Sequence, residues 1–227
     1  MVSPPRQLAL ALNHAERLSR EDFLPGPSNE AALAMIERWP DWPARALAIA
    51  GPQGSGKSHL ASIWASLSGA RMLSAHAMHT PTLLDALATG ALVLEDCETG
   101  NFDERALFHL LNLVKEHDGY LLVTARTLPA SWKVGLPDLA SRLRAMPAIA
   151  MATPDDALLR AVTVKLFADR QLSVDEPLIA YLLTRIPRSF AAIQSAVQTL
   201  DREALQRKRP VNRALAAEVL RDLREGT

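Results

Sequence analysis

Residues 51–58 read Gly-Pro-Gln-Gly-Ser-Gly-Lys-Ser and satisfy the pattern G-x-x-x-x-G-K-[ST] at every fixed position. Glycines at these spacings let backbone N–H groups approach phosphate oxygens, while Lys57 reaches the β- and γ-phosphates and Ser58 ligates Mg²⁺. An apolar run precedes the pattern and a helical pattern follows it, which is the context that such a loop needs. The sequence therefore predicts a nucleotide site. Its predicted cofactor-binding residues in this segment are Gly51, Gln53, Gly54, Ser55, Gly56, Lys57, Ser58 and His59.

A second candidate for chemistry lies where the apolar run 91–94 ends in Glu95 and Asp96. Carboxylates at the end of a strand beside a phosphate-binding loop can hold Mg²⁺, directly or through water. We therefore predict a metal site formed by Glu95 and Asp96 together with Ser58. Asp96 and Glu98 are both candidates for the base that activates water. Thr124, at the end of another apolar run, is either a polar group near the γ-phosphate or an ordinary β-branched strand residue.

The elements that must position these residues alternate along the first two thirds of the chain. Five short apolar runs predict strands, and helical patterns such as the one over 104–116 separate them, which favours a parallel sheet covered by helices. After Pro154 only helical patterns occur. We expect a tail over 1–20 that is mobile in isolation, an α/β domain over 21–153 and a helical domain over 154–227. The predicted strands are 46–50, 71–74, 91–94, 120–124 and 148–151.

The composition excludes several classes of protein. The 227 residues are 48% hydrophobic, enough for a substantial core, and no apolar run approaches the roughly 18 residues of a membrane span. The 25 basic and 25 acidic side chains balance, which argues against strong autonomous DNA binding. The single Cys97 excludes an internal disulfide. No targeting signal is recognisable at the N-terminus, so we expect a soluble cytoplasmic protein.

Five stretches together resemble the AAA+ ATPases related to the replication initiator DnaA. The phosphate loop alone indicates only nucleotide binding, whereas the combination points to this family from about residue 20 onwards. The resemblance implies an AAA+ P-loop fold, with a five-stranded parallel sheet between helices and a small all-helical lid. It also implies ADP or ATP, with Mg²⁺, as the ligand. The stretches are Phe-Leu-Pro-Gly-Pro-Ser-Asn at 23–29, residues 51–60, Leu-Glu-Asp at 94–96, Phe-His-Leu-Leu-Asn at 108–112 and Leu-Pro-Asp-Leu-Ala-Ser-Arg-Leu at 136–143.

The resemblance also implies roles for residues outside the loop. Phe23 and Leu24 would lie near the adenine, and Thr124 falls in the sensor 1 segment. Arg188 resembles the lid arginine called sensor 2, which contacts the nucleotide of its own chain. Arg142 resembles the arginine finger that acts on the nucleotide of a partner, where it neutralises transition-state charge.

Three details of these roles are distinctive or unsettled. Arg144 lies close enough to Arg142 to be the alternative finger. Arg126 stands where the family often has an acid, and Glu95 stands where Asp is usual. Both departures argue against efficient ATP hydrolysis by the chain itself.

Within the family the chain is similar above all to the Hda-type regulators. The residues after Arg188 suffice to complete a lid, but not the helix-turn-helix domain with which DnaA continues. The sequence Gln-Leu-Ala-Leu-Ala-Leu at 7–12 resembles the Hda peptide that binds the sliding clamp, and its Gln7, Leu8, Leu10 and Leu12 are suited to an apolar groove.

This resemblance implies negative regulation of replication initiation. The chain would bind ADP or ATP, dock on the β sliding clamp of DNA polymerase III, contact DNA only through that clamp, and stimulate ATP hydrolysis by DnaA. Self-association remains open. The alternatives are a self-contained AAA+ ATPase or P-loop phosphotransferase, and a DnaA-like DNA-binding or loader module that uses the basic run 207–209.

Overall fold

The computed structural model describes residues 18–225 and contains one five-stranded sheet. All strand pairs are parallel, and the order across the sheet is β2-β3-β4-β1-β5. Each predicted strand is present, with its ends displaced by no more than one residue. The strands are β1 (Ala46–Ala50), β2 (Arg71–Ser74), β3 (Ala91–Glu95), β4 (Tyr120–Ala125) and β5 (Ala148–Ala150).

Helices cover both faces of this sheet. In β3, Leu92 and Leu94 pack into one apolar cluster with α3, α4 and α5, whereas Val93 between them packs into the other with α1 and α2. Because successive side chains of a strand point to opposite faces, a fully apolar strand such as β3 must lie between two layers. The helices of this domain are α1 (Glu30–Glu37), α2 (Lys57–Ser68), α3 (Leu83–Ala86), α4 (Glu104–Glu116) and α5 (Pro137–Ala145).

Four further helices form the predicted all-helical region, which has an apolar cluster of its own around Phe167, Leu182 and Val197. Asp155, Asp175 and Ser189 each accept a backbone N–H at the start of a helix, which is the reason these helices begin where they do. The helices are α6 (Asp156–Ala168), α7 (Glu176–Leu183), α8 (Phe190–Arg207) and α9 (Arg213–Glu225).

The predicted fold class is therefore confirmed: a parallel five-stranded sheet lies between helices, and a helical region follows it. We call residues 154–225 the lid. Two contacts join the lid to the α/β region at its start, namely an ion pair of 2.8 Å between Lys165 Nζ and Asp22, and the packing of Leu158 against Gly26. Among residues 18–225, no helix has both the length and the apolarity needed to cross a membrane.

Candidate nucleotide site

The phosphate loop, residues 51–56, begins where β1 ends at the carboxyl edge of the sheet. The Gly51 N–H donates to the carbonyl oxygen of Ala125 at 3.0 Å, which ties the loop to the end of β4. A Cβ added at Gly51 would lie 2.7 Å from the carbonyl oxygen of Met151, so only glycine fits this close approach. In open α/β sheets, ligands bind outside this edge.

Lys57 opens α2 and turns back over the loop. Its Nζ donates to the carbonyl oxygens of Gly51 and Pro52, both at 2.8 Å, and its side chain is buried. Burial lowers the pKa of Lys57, and the carboxylate of Asp96 acts in the opposite direction. Gly56 immediately before it has a φ of 98°, the left-handed conformation that lets the loop enter the helix.

The loop has unused hydrogen-bonding capacity of the kind that a phosphate group requires. The first N–H groups of α2 have no carbonyl partner within the helix, and they point to the loop side. The Ser55 hydroxyl oxygen is buried and has no hydrogen-bond partner among the described residues. Lys57 supplies a cation at the same place. The donor set therefore fits an anionic phosphate, with the exposed Ser58 one residue further on.

The structure places the acidic motif beside Lys57. Glu95 ends β3 and is half-buried, whereas Asp96 is exposed and has a φ of 57°. The Asp96 N–H donates to Thr124 Oγ1 at 3.2 Å, and the Cys97 N–H donates to the Thr124 carbonyl oxygen at 2.9 Å. Thr124 is almost completely buried. It therefore holds the end of β3 against the end of β4, and its sensor role stays a prediction.

The lid closes directly on the phosphate loop. The Phe190 N–H donates to the Gly54 carbonyl oxygen at 3.2 Å. A Cβ added at Gly54 would lie 2.4 Å from the Cβ of Ser189. Arg188 precedes this contact, and its guanidinium pairs with Asp156 at 2.9 Å in an exposed position. The predicted sensor 2 arginine is thus brought next to the loop by the start of α8.

Aromatic side chains flank the junction between the loop and α2. Phe23 is buried and meets the His59 ring edge to face, with 5.1 Å between the ring centroids. Phe23 and Phe190 both approach a Cβ built at Gly56, at 3.6 Å and 3.5 Å. Leu24, which follows Phe23, is half-exposed. The residues predicted to lie near the base are therefore close to the loop.

The structure keeps Arg142 out of this group. It lies on α5, where its guanidinium carbon is 4.7 Å from the centroid of the Phe108 ring on α4. The Glu104 carboxylate accepts the N–H groups of Gly135 and Leu136 at 2.9 Å and 3.0 Å, which fixes the chain just before α5. Arg144, the alternative finger, is more exposed on the same helix.

Ser189 and Phe190 were not among the sequence-predicted site residues. Ser189 had a usable signal, because a serine directly after Arg188 and before a helical pattern is a typical N-cap. The contact of Phe190 with Gly54 had none, since it joins segments far apart in the sequence. The predicted clamp-binding residues, Gln7 to Leu12, lie outside the described residues.

Comparison with known proteins identifies the fold. No protein-family model matches the chain. Domain III of DnaA from Thermotoga maritima is similar with a TM-score of 0.72 and 18% identity, over 90% of this chain and 96% of that one. AMPPCP-bound DnaA from Aquifex aeolicus is similar with a TM-score of 0.68 and 17% identity, over 84% of this chain and 67% of that one. The RuvB Holliday junction branch migration motor of T. maritima has a TM-score of 0.73 and 14% identity, over 90% of this chain and 72% of that one. The chain thus has the fold of the AAA+ ATPases, in the form found in DnaA and RuvB.

Proposed function

We propose that this chain is an Hda-like AAA+ regulator of replication initiation. It binds an adenine nucleotide with Mg²⁺, docks on the sliding clamp and stimulates ATP hydrolysis by DnaA. The observation that carries the proposal is that the cationic side chains of interest lie in two separate places. Lys57 bonds the carbonyl oxygens of the phosphate loop, and Arg188 directly precedes the segment that contacts the loop. Arg142, in contrast, is carried by a separate helix and is half-exposed over the Phe108 ring.

In its own site the chain acts as a binder. Lys57 exchanges the Gly51 and Pro52 carbonyls for phosphate oxygens, and the N–H groups at the start of α2 bind the remaining oxygens. Arg188 leaves its exposed and therefore weak ion pair with Asp156 to reach the same phosphates.

Three further parts of the site complete the binding. Ser58, Glu95 and Asp96 hold Mg²⁺, which balances phosphate charge when bound. Phe23 and Leu24 contact the base. The AMPPCP in the structurally similar DnaA supports an adenine nucleotide as the ligand.

Nucleotide binding is tested with ADP and AMPPCP by isothermal titration calorimetry in the presence of Mg²⁺. Lys57→Ala should lose binding of both by at least about a hundredfold, because it removes a buried charge-assisted contact. Lys115→Ala, which changes an exposed lysine of α4, should bind like the unaltered chain. Equal affinities in all three proteins would exclude the loop as the site.

The contribution in trans is tested by measuring ATP hydrolysis by DnaA in the presence of DNA-loaded clamp. Arg142→Ala should retain nucleotide binding and lose stimulation, because the cation is absent from the partner's transition state. Arg144→Ala is the matched control on the same helix and should keep stimulation. If the two variants behave in the opposite way, Arg144 is the finger. If both variants keep stimulation, neither arginine of α5 is the finger.

Clamp docking is tested by a pull-down that compares the intact chain with Gln7→Ala/Leu10→Ala. The double variant should lose retention, since it removes a polar contact and an apolar contact of the peptide. Equal retention of both proteins would exclude the peptide.

A self-contained ATPase is the first alternative. It would show basal ATP turnover without DnaA or clamp, and Lys57→Ala would abolish that turnover. Hydrolysis that requires DnaA and loaded clamp would exclude it.

The DNA-binding alternative loses support in the structure. Arg207 and Arg209 in the basic run 207–209 form ion pairs with Glu218 at 3.2 Å and 2.8 Å, and Arg207 also pairs with Glu203. Carboxylates thus compensate most of the charge that would contact phosphates. Salt-dependent binding of the pure chain to bare duplex would restore this alternative.

A further inference from the structure

Glu98 and Arg126 form an ion pair at the edge of the nucleotide site, and the proposed function gives this pair no role. Arg126 Nε lies 2.7 Å from Glu98 Oε1, and the two side chains are 60% and 34% exposed. Arg126 is the first residue after β4, and Glu98 is the third after β3. Both therefore leave the sheet at its carboxyl edge, on neighbouring strands.

The loop that carries Glu98 is firmly held. Cys97 is fully buried, and its N–H donates to the Thr124 carbonyl oxygen. The Asn101 side chain accepts the Glu98 N–H at 2.7 Å and donates to the Asp96 carbonyl oxygen. The Asn101 N–H in turn donates to the Glu98 carbonyl oxygen at 3.0 Å. The backbone at Glu98 is thus fixed by hydrogen bonds that do not involve Arg126.

Arg126 lies next to the phosphate loop. Its neighbour Ala125 pairs in register with Ala50 of β1 and accepts the Gly51 N–H. The charges of Arg126 and Glu98 both act on Lys57, the first lowering its pKa and the second raising it, behind the larger effects of burial and of Asp96. Arg126, Asp96 and Glu98 are therefore all near enough to Lys57 for their charges to act on it.

We propose that Arg126 binds the terminal phosphate of a nucleoside triphosphate and that Glu98 holds Arg126 when this phosphate is absent. The proposal rests on the proposed nucleotide site. An exposed ion pair with one carboxylate is weak, whereas a guanidinium binds phosphate oxygens through two parallel charge-assisted hydrogen bonds. The exchange is therefore favourable with a triphosphate. A diphosphate lacks the group that reaches Arg126, so the pair with Glu98 persists.

This arrangement makes Arg126 and Glu98 a device that distinguishes triphosphate from diphosphate. The distinction would be read at the Glu98 side chain, which loses its partner only in the triphosphate state. Arg126, which stands where the resembling family often has an acid, then has a binding role of its own.

The test is calorimetric titration of Arg126→Ala with AMPPCP and with ADP, each with Mg²⁺. We expect AMPPCP to bind roughly tenfold more weakly and ADP to change by less than about twofold, because only the triphosphate loses a charge-assisted contact. Arg202→Ala, which removes an exposed arginine that faces Glu203 on α8, is the matched control and should change neither affinity. Thermal melting of the free proteins checks that folding is intact.

Glu98→Gln provides the second measurement. It removes the competing carboxylate, so AMPPCP should bind roughly twofold to fivefold more tightly, while ADP should not. Equal losses for both nucleotides in Arg126→Ala, or no loss, would overturn the role of Arg126 and leave the nucleotide site in place. Failure of the unaltered chain to bind either nucleotide would overturn the site and the inference together.

Discussion

At the scale of single residues, Lys57 links the structure to ligand binding most directly. Its buried ammonium satisfies two loop carbonyls, and burial lowers its pKa below the ordinary value of 10.5. A phosphate bound at the same place would favour the charged form and raise that pKa again. Protonation of Lys57 therefore favours nucleotide binding, and nucleotide binding favours protonation of Lys57.

This coupling predicts a pH dependence of nucleotide affinity. Well below the lowered pKa of free Lys57, both states carry the proton and affinity is constant. As the pH rises through that pKa, the free protein loses the proton first, so affinity for ADP falls, by up to about tenfold per pH unit. Titrations from pH 7 to pH 10 measure it. A flat profile up to pH 10 would mean that Lys57 does not titrate there.

At the scale of elements, the phosphate loop and α8 touch through Gly54 and Ser189. We expect Gly54→Ala to lower the free energy of unfolding by about 1–2 kcal/mol for its φ of 75°, and by about 1 kcal/mol or more for the contact with Ser189. Gly90→Ala is the matched control, because Gly90 has a φ of 78° and nothing within 4 Å of an added Cβ. Urea unfolding measures both. Equal losses of unfolding free energy in the two variants would show that the lid moves away from an added Cβ at Gly54 without cost.

The start of α5 depends on a second connection between elements. Glu104 on α4 accepts two backbone N–H groups just before α5, so Glu104→Ala leaves both without this partner. We expect a loss of about 1–2 kcal/mol in unfolding free energy. Under the proposed function we also expect weaker stimulation of DnaA, because the loosened helix carries Arg142. Glu116→Ala, at the exposed end of α4, should cost less than about 0.5 kcal/mol. Full stimulation of DnaA by Glu104→Ala would show that the action of Arg142 does not depend on the hydrogen bonds of Glu104.

At the scale of the whole molecule, the sequence predicted what is local and left out what is long-range. The strands were recognisable because buried parallel strands are short apolar runs, such as Ala46–Ala50. The phosphate loop was recognisable because its glycines and Lys57 must occupy fixed positions. The contact of Phe190 with Gly54 and the pairing of Arg126 with Glu98 were not, because each depends on how distant segments come together in the folded chain.

The proposed nucleotide site also joins the two parts of the molecule, since it comprises Lys57 of the α/β domain and Arg188 of the lid, and Phe190 of the lid contacts the loop. A ligand that binds only the folded chain stabilises it by about 2.7 kcal/mol at a hundredfold excess over Kd. For a chain of this size, we expect ADP at that level to raise the apparent Tm by roughly 5–10 °C. Lys57→Ala should show no such shift.

The lid's share of this stabilisation is measurable separately. Phe190→Ala removes the ring that lies beside Gly56, so the ADP-induced shift in Tm should shrink even after allowance for a lower Tm of the free protein. Leu205→Ala changes an apolar residue that is 69% exposed near the other end of α8, and it should leave the shift unchanged. If ADP raises the Tm of Phe190→Ala as much as it raises the Tm of the unaltered chain, the lid contributes nothing measurable to ADP binding. A reduced shift would show that the lid is part of the site, as the contact of α8 with the loop implies.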